Sequence, residues 1–147
     1  MNYPEAVEYL YARLPMFHRI GAAAYKGSLD NIIALCAALG SPEKGLKYVH
    51  IAGTNGKGSV SSMVASILME AGYNVGLHTS PHLRSFTERI RVNGKEISES
   101  AVAAFVTANQ DLVARIEPSF FELSTAMAFQ YFKEENVDIA VIEVGMG

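Results

Sequence analysis

The sequence predicts an α/β domain with a mainly parallel sheet covered by helices. Three stretches, "KYVHIAG" (47–53), "NVGLHTS" (74–80) and "DIAVIEVG" (138–145), are short, apolar and rich in β-branched residues. Such runs read as strands buried on both faces. Between the first two lies a glycine-bearing loop and then "GSVSSMVASILMEAG" (58–72), whose Val60, Met63, Val64, Ile67 and Leu68 recur at helical spacing. A strand, loop, helix and strand in succession point to parallel neighbours joined by a crossover helix.

The other elements follow in order. Residues 3–14 read as a short amphipathic helix ended by Pro15, and "AAYKGS" (23–28) as a loop. A second helix spans 29–39 and stops at Gly40–Pro42. In "RIRVNGKEIS" (89–98) the dipeptide Asn93-Gly94 sits between strand-like pieces, which predicts a small hairpin. Ser98 can cap a long helix over 99–116, stopped at Glu117-Pro118. Ser119 followed by Glu122 has capping-box spacing and opens a helix running to about Glu135. Three strands are few for a parallel sheet, so the sheet reads as incomplete at its carboxy-terminal end and the chain as a piece of a larger domain.

Composition narrows the function classes. The chain has 147 residues, half of them hydrophobic, and a formal charge of −3. That balance argues against disorder and against a nucleic-acid surface. The single Cys36 lies in "IIALCAALG" and reads as a small buried hydrophobe, and one cysteine excludes an internal disulfide. The amino terminus lacks the basic start and unbroken apolar run of a secretory signal. No segment approaches the length needed to span a bilayer, so a cytoplasmic, non-membrane protein is expected.

The chemistry gathers around "GTNGKGSV" (53–60). Gly53, Gly56 and Gly58 let backbone N–H groups turn inward, and the helix that follows adds the positive end of its dipole. Lys57 adds a full charge able to reach outer phosphates. The loop departs from the general P-loop pattern, which wants glycine where Ile51 stands and a hydroxyl where Gly58 stands. A tight turn with a solvated lysine is the plain alternative.

Glu143 is the only charge in "IAVIEV" (139–144), and a carboxylate in a buried strand needs a partner, which a cation supplies. The alternative is a strand-end glutamate in solvent. Two hydroxyls compete as a magnesium ligand: Ser59, one position late, and Ser80, whose strand end would share the sheet edge with the loop. Of the four histidines, His50 and His78 read as core or interface residues within strands, and His82 as a loop residue able to touch a ligand or serve only the surface. His18 is uninformative. None has zinc-motif spacing. For Glu122 the capping box is the plain reading and a catalytic carboxylate the alternative.

Taken together and in order, "HIAGTNGKGSV", "GLHTSPHLRSFTERIRVNGKEIS", "FFELSTAMAFQYF" and "VDIAVIEVGMG" resemble the amino-terminal part of folylpolyglutamate synthase/dihydrofolate synthase, across essentially the whole chain. The related Mur ligases share Gly-Thr-Asn-Gly-Lys but place hydroxyl residues directly after the lysine. The resemblance implies a three-layer P-loop domain and an ATP-dependent amide ligase. In such an enzyme a carboxylate takes the γ-phosphate to form an acyl phosphate, and glutamate displaces the phosphate. Dihydropteroate or a reduced folate is the acid, L-glutamate the amine, and ATP and Mg2+ the cofactors.

By motif match, Gly53, Thr54, Asn55, Gly56, Lys57, Gly58, Ser59 and Val60 would cradle the triphosphate. Ser80 and Glu143 would hold magnesium, with Lys57 and Glu143 the catalytic pair. Pro81 and His82 lie in a stretch resembling a mobile loop near the folate, and Phe121 matches an aromatic position against the pterin. The resemblance further implies that residues 1–147 are part of the amino-terminal ATP-binding domain, like the central domain of Mur ligases. The rest of that domain and a carboxy-terminal glutamate-ligase domain would lie outside the chain. The isolated chain is then expected to be inactive and prone to self-association, and its parent monomeric. A Mur-type peptide ligase and a non-catalytic nucleotide-binding module are the alternatives.

Overall fold

The computed structural model describes residues 1–14, 29–53, 56–82 and 84–143. Pro15, the loop at 23–28, Thr54, Asn55 and the end of the last strand run beyond Glu143 lie outside the described residues. In chain order the elements are α1 (Tyr3–Tyr11), α2 (Asp30–Ala38), β1 (Lys47–Ile51), α3 (Lys57–Glu70), β2 (Val75–His78), a 3₁₀ turn (Phe86–Arg89), β3 (Ile90–Val92), β4 (Lys95–Glu96), α4 (Glu99–Ala108), α5 (Gln110–Ile116), α6 (Phe120–Glu134) and β5 (Ile139–Glu143). They divide into two compact units, Met1–Pro42 with Ser100–Met127, and Glu43–Glu99 with Ala128–Gly147.

The first unit is helical. Asn2 and Glu5 form a reciprocal capping box that starts α1, and Ser119 and Glu122 do the same before α6, at 2.8 and 3.2 Å. The expected single helix over 99–116 is two helices. At Asn109 the side-chain Nδ2–H donates to the Phe105 carbonyl at 2.8 Å, taking the acceptor that a continuing helix would give to a backbone N–H. Cys36 is buried in α2, as its apolar run predicts.

The second unit carries the sheet, in the order β1-β5-β2-β3-β4. The three predicted strands are its parallel part, with β5 between β1 and β2; β2 and β5 are buried as expected, but β1, at the edge of the described sheet, has no buried residue. The hairpin is not separate: β3 pairs antiparallel with β2 and extends the sheet. Asn93 (φ 52°) and Gly94 (φ 81°) make its turn, two left-handed residues in succession, which Asn-Gly tolerates.

One face of the sheet packs on α3 through Ala65, Val75 and Val141, joined by Val49, Ile51, Val64 and Leu68. On the other face Gly76 lies against Phe132 of α6, so close that a Cβ there would come within 2.7 Å of the ring. The entry to β2 is tied by amides. Asn74 Nδ2–H groups donate to the carbonyls of Glu135 and Asn136, and Val75 N–H donates to Asn93 Oδ1 at 2.9 Å. These bonds fix the stagger of β2 against β5 and β3, and so fix which residues meet at the opposite, carboxyl ends of the parallel strands.

Candidate functional site

At those carboxyl ends the chain passes from β1 to α3. Gly53 (φ 144°) and Gly56 (φ 74°) hold conformations that side chains with a Cβ resist, and Gly56 is the N-cap of α3. The first intrahelical bond is Val60 N–H to the Gly56 carbonyl at 3.0 Å. The N–H groups of Lys57, Gly58 and Ser59 therefore precede the helical ladder, at the positive end of the dipole. The first turn carries no acidic residue of its own. Such a helix start favours an anion.

Gly56, Lys57, Gly58, Ser80, Pro81 and Glu143 line one cavity of about 670 Å³, which runs on between α3 and β2 to Arg91. Glu143 ends β5 and is only 6% exposed, so a glutamate standing in solvent is excluded. Its Oε1 accepts the Ser80 N–H at 3.4 Å, and its Oε2 lies 3.8 Å from where a Cβ on Gly58 would sit. Glycine at 58 thus leaves open the space that faces the carboxylate. Of the two candidate hydroxyls, Ser80 belongs to the residue bonded to Glu143, whereas Ser59 is exposed on the first turn of α3.

A hydroxyl and a carboxylate are hard oxygen donors. Two of them suit Mg2+, which keeps waters and takes its other ligands from phosphate oxygens. Among the described residues no group of three or more His, Cys, Asp or Glu could hold a metal by itself.

Val60 is 46% exposed and its N–H belongs to the helix. Phe121 stands in the helical unit, 51% exposed and edge-on to Phe120 at 5.4 Å. His50, expected as core or interface, is exposed on β1, the edge strand among the described residues. His78 is buried, and among the described residues neither ring nitrogen has a hydrogen-bond partner. Burial, then the Arg89 charge, lowers its pKa to about 4. His82 is half-buried, with Nδ1 accepting from Arg89 Nε–H at 2.7 Å. Its pKa is lowered by burial and then by Arg89, with Glu88 opposing.

Thr79 and Arg91 also line the cavity and escaped the sequence reading. Arg91 reaches it because antiparallel pairing sets Arg91 opposite Leu77. Only the alternation in "RIRV" hinted at that face.

No protein-family model matches the chain. Among curated proteins, a probable bifunctional folylpolyglutamate synthase/dihydropteroate synthase of Haloferax volcanii is 45% identical over all of this chain and 17% of its own length. Among solved structures, the folylpolyglutamate synthase of Thermotoga maritima matches with a TM-score of 0.87 and 45% identity, over 99% of this chain and 33% of that one. A folylpolyglutamate synthase complex with AMPPCP and folate matches with a TM-score of 0.86 and 36% identity, over 100% of this chain and 36% of that one. The chain thus spans about a third or less of the relatives it matches. By sequence and by fold, it is a homologue of the amino-terminal part of the folylpolyglutamate and dihydrofolate synthases.

Proposed function

We propose that this chain is the nucleotide-binding part of an ATP-dependent ligase that adds L-glutamate to dihydropteroate, to reduced folates, or to both. The observation that carries the reading is the meeting of Lys57 and Gly58 at the start of α3 with Ser80 and Glu143 on one cavity. The matched AMPPCP–folate complex supports the same choice of nucleotide and acid.

On this reading the N–H groups from Gly53 to Ser59 cradle the triphosphate, and Lys57 neutralises its outer phosphates. Ser80 and Glu143 would hold Mg2+, which when bound neutralises charge on the phosphoryl oxygens. A carboxylate oxygen of the acid then attacks the γ-phosphorus. The bond to the β-bridging oxygen breaks, leaving an acyl phosphate and ADP. The glutamate amine attacks the acyl carbon, phosphate departs, and the amide forms with loss of one proton.

The proposal extends to organisation. Residues 1–147 form part of the ATP-binding domain, and the remainder of that domain and a glutamate-ligase domain complete the enzyme. The isolated chain binds nucleotide without turning it over. Cytoplasmic location and a monomeric parent belong to the same proposal. Among the described residues no helix is long and apolar enough to cross a membrane.

The test is ADP release by the whole protein, with acid and amine supplied separately and together. Release that requires dihydropteroate or a reduced folate supports the reading. Release that requires a UDP-sugar acid would assign a Mur-type ligase, and nucleotide binding that no acid converts to ADP would assign a non-catalytic module. Turnover by the isolated chain would overturn its proposed inactivity.

A further inference from the structure

The turn that joins β3 to β4 is held from behind by amides. Asn93 Oδ1 accepts the Val75 N–H at 2.9 Å, and Asn93 Nδ2–H donates to Asn74 Oδ1 at 2.5 Å. The Asn93 N–H closes the same contact by donating to the Val75 carbonyl at 2.8 Å. Asn74 is itself anchored: its Nδ2–H groups reach the Glu135 and Asn136 carbonyls, and its backbone N–H reaches Asp138 Oδ2 at 2.8 Å.

An asparagine followed by glycine is chemically labile, because no Cβ shields the glycine nitrogen from the asparagine side chain. Asn93 and Gly94 are both exposed, so water reaches the turn and burial gives no protection. Ring closure needs Asn93 Cγ to swing onto the Gly94 nitrogen. Both polar atoms of that side chain are instead engaged by Val75 and Asn74, so the swing requires both bonds to open.

We propose that Asn93 is a latent modification site: it deamidates through a succinimide, and the clamp from Asn74 and Val75 silences it while the turn is docked on the start of β2. In the reaction the Gly94 nitrogen gives its proton to solvent base and bonds to Asn93 Cγ. The Cγ–Nδ2 bond breaks, and the nitrogen leaves as ammonia with a proton returned by solvent. Water then opens the ring at either carbonyl, leaving an α-linked aspartate or an isoaspartate whose main chain runs through Cβ and Cγ. Neither product can donate to Asn74 Oδ1, since a carboxylate has acceptors only. The change is therefore one-way for the clamp.

The test is incubation of the whole protein at mildly alkaline pH, with peptide mapping that separates Asn93-Gly94 from Asn55-Gly56. Circular dichroism reports whether each variant is folded. Asn93 should convert at least about tenfold more slowly in the folded protein than in urea. Folded Asn74→Ala should convert about tenfold faster than the parent, the scale of the hydrogen bonds it loses. Val113→Ala thins the core of the other unit and should leave the rate within about twofold, because the clamp opens locally.

Equal rates in the folded protein and in urea overturn the proposal, as does an unchanged rate in folded Asn74→Ala. Equal acceleration by Val113→Ala would assign the protection to global stability and refute the clamp. If Asn74→Ala does not fold, the contrast with urea and the Val113→Ala rate still decide. Asn93→Asp makes the α-linked product directly and should melt a few degrees below the parent. An unchanged midpoint would refute the one-way loss of the clamp.

Discussion

The carboxylate of Glu143 accepts the backbone N–H of Ser80 at 3.4 Å, joining the carboxyl ends of β5 and β2 beside the start of α3. Glu143→Gln separates the two uses of that contact. The amide keeps the size and an acceptor oxygen for Ser80, so thermal stability should move little. The negative charge is gone, and magnesium-dependent affinity for AMPPCP should fall by about tenfold or more, on the scale of a charge-assisted contact of about 1.5–3 kcal/mol. Titration calorimetry with and without Mg2+ checks this: equal affinity in both variants would remove Glu143 from the metal.

Gly58→Ala should push stability and binding in opposite directions. Alanine is favoured over glycine in a helix interior by about 1 kcal/mol, and by no more than that in the first turn, and among the described residues its Cβ would meet only Glu143 Oε2, at an ordinary 3.8 Å. The melting temperature should hold or rise. The same methyl occupies the space between the helix start and the carboxylate, so nucleotide affinity should drop. A variant with raised stability and unchanged AMPPCP binding would show that the space is not used.

These two residues also mark how far the sequence could be read. Glycine spacing and the isolated charge in "IAVIEV" are local signals, and they led to Gly58 and Glu143. Asn93-Gly94 and the Ser119–Glu122 cap were legible for the same reason, since a few bonded neighbours decide them. The break at Asn109 was not, because apolar periodicity continues through it while its amide captures the Phe105 carbonyl. Arg91 in the cavity and Arg89 on His82 depend on strand register and on a closed loop. Those contacts exist only once distant segments have met.

Gly76→Ala should destabilise the sheet unit. An added Cβ falls 2.7–2.9 Å from three atoms of the fully buried Phe132 ring. Overpacking of this kind costs about 1–3 kcal/mol. Pairing the change with Phe132→Leu should recover part of the loss, because the two sites share one volume. Urea denaturation of the single and double variants measures both effects, and strictly additive losses would contradict the contact.

Self-association should track the outer side of α3. Val60, Met63 and Ile67 are 46%, 62% and 65% exposed and lie at helical spacing, and among the described residues no strand pairs with the outer edge of β1. Exposed apolar stripes and open edges favour contact between chains. Sedimentation velocity of the isolated chain should show concentration-dependent association that Met63→Glu reduces. An unchanged distribution would place the contact elsewhere.

His78 should make the fold acid-sensitive in a defined window. Burial, reinforced by Arg89, holds its folded pKa at about 4 against the ordinary 6.5. The unfolded chain therefore binds the extra proton first as pH falls, so the stabilising contribution is complete above pH 6.5 and is lost on the way down to about 4. At about 1.4 kcal/mol per pH unit the loss approaches roughly 3 kcal/mol by the bottom of that window. His78→Leu removes the titrating ring, which among the described residues has no hydrogen bond to forfeit. Its stability should vary less between pH 6.5 and 4 than that of the parent. Chemical denaturation at successive pH values gives the comparison, and parallel slopes for the two proteins would show that another group governs the acid response.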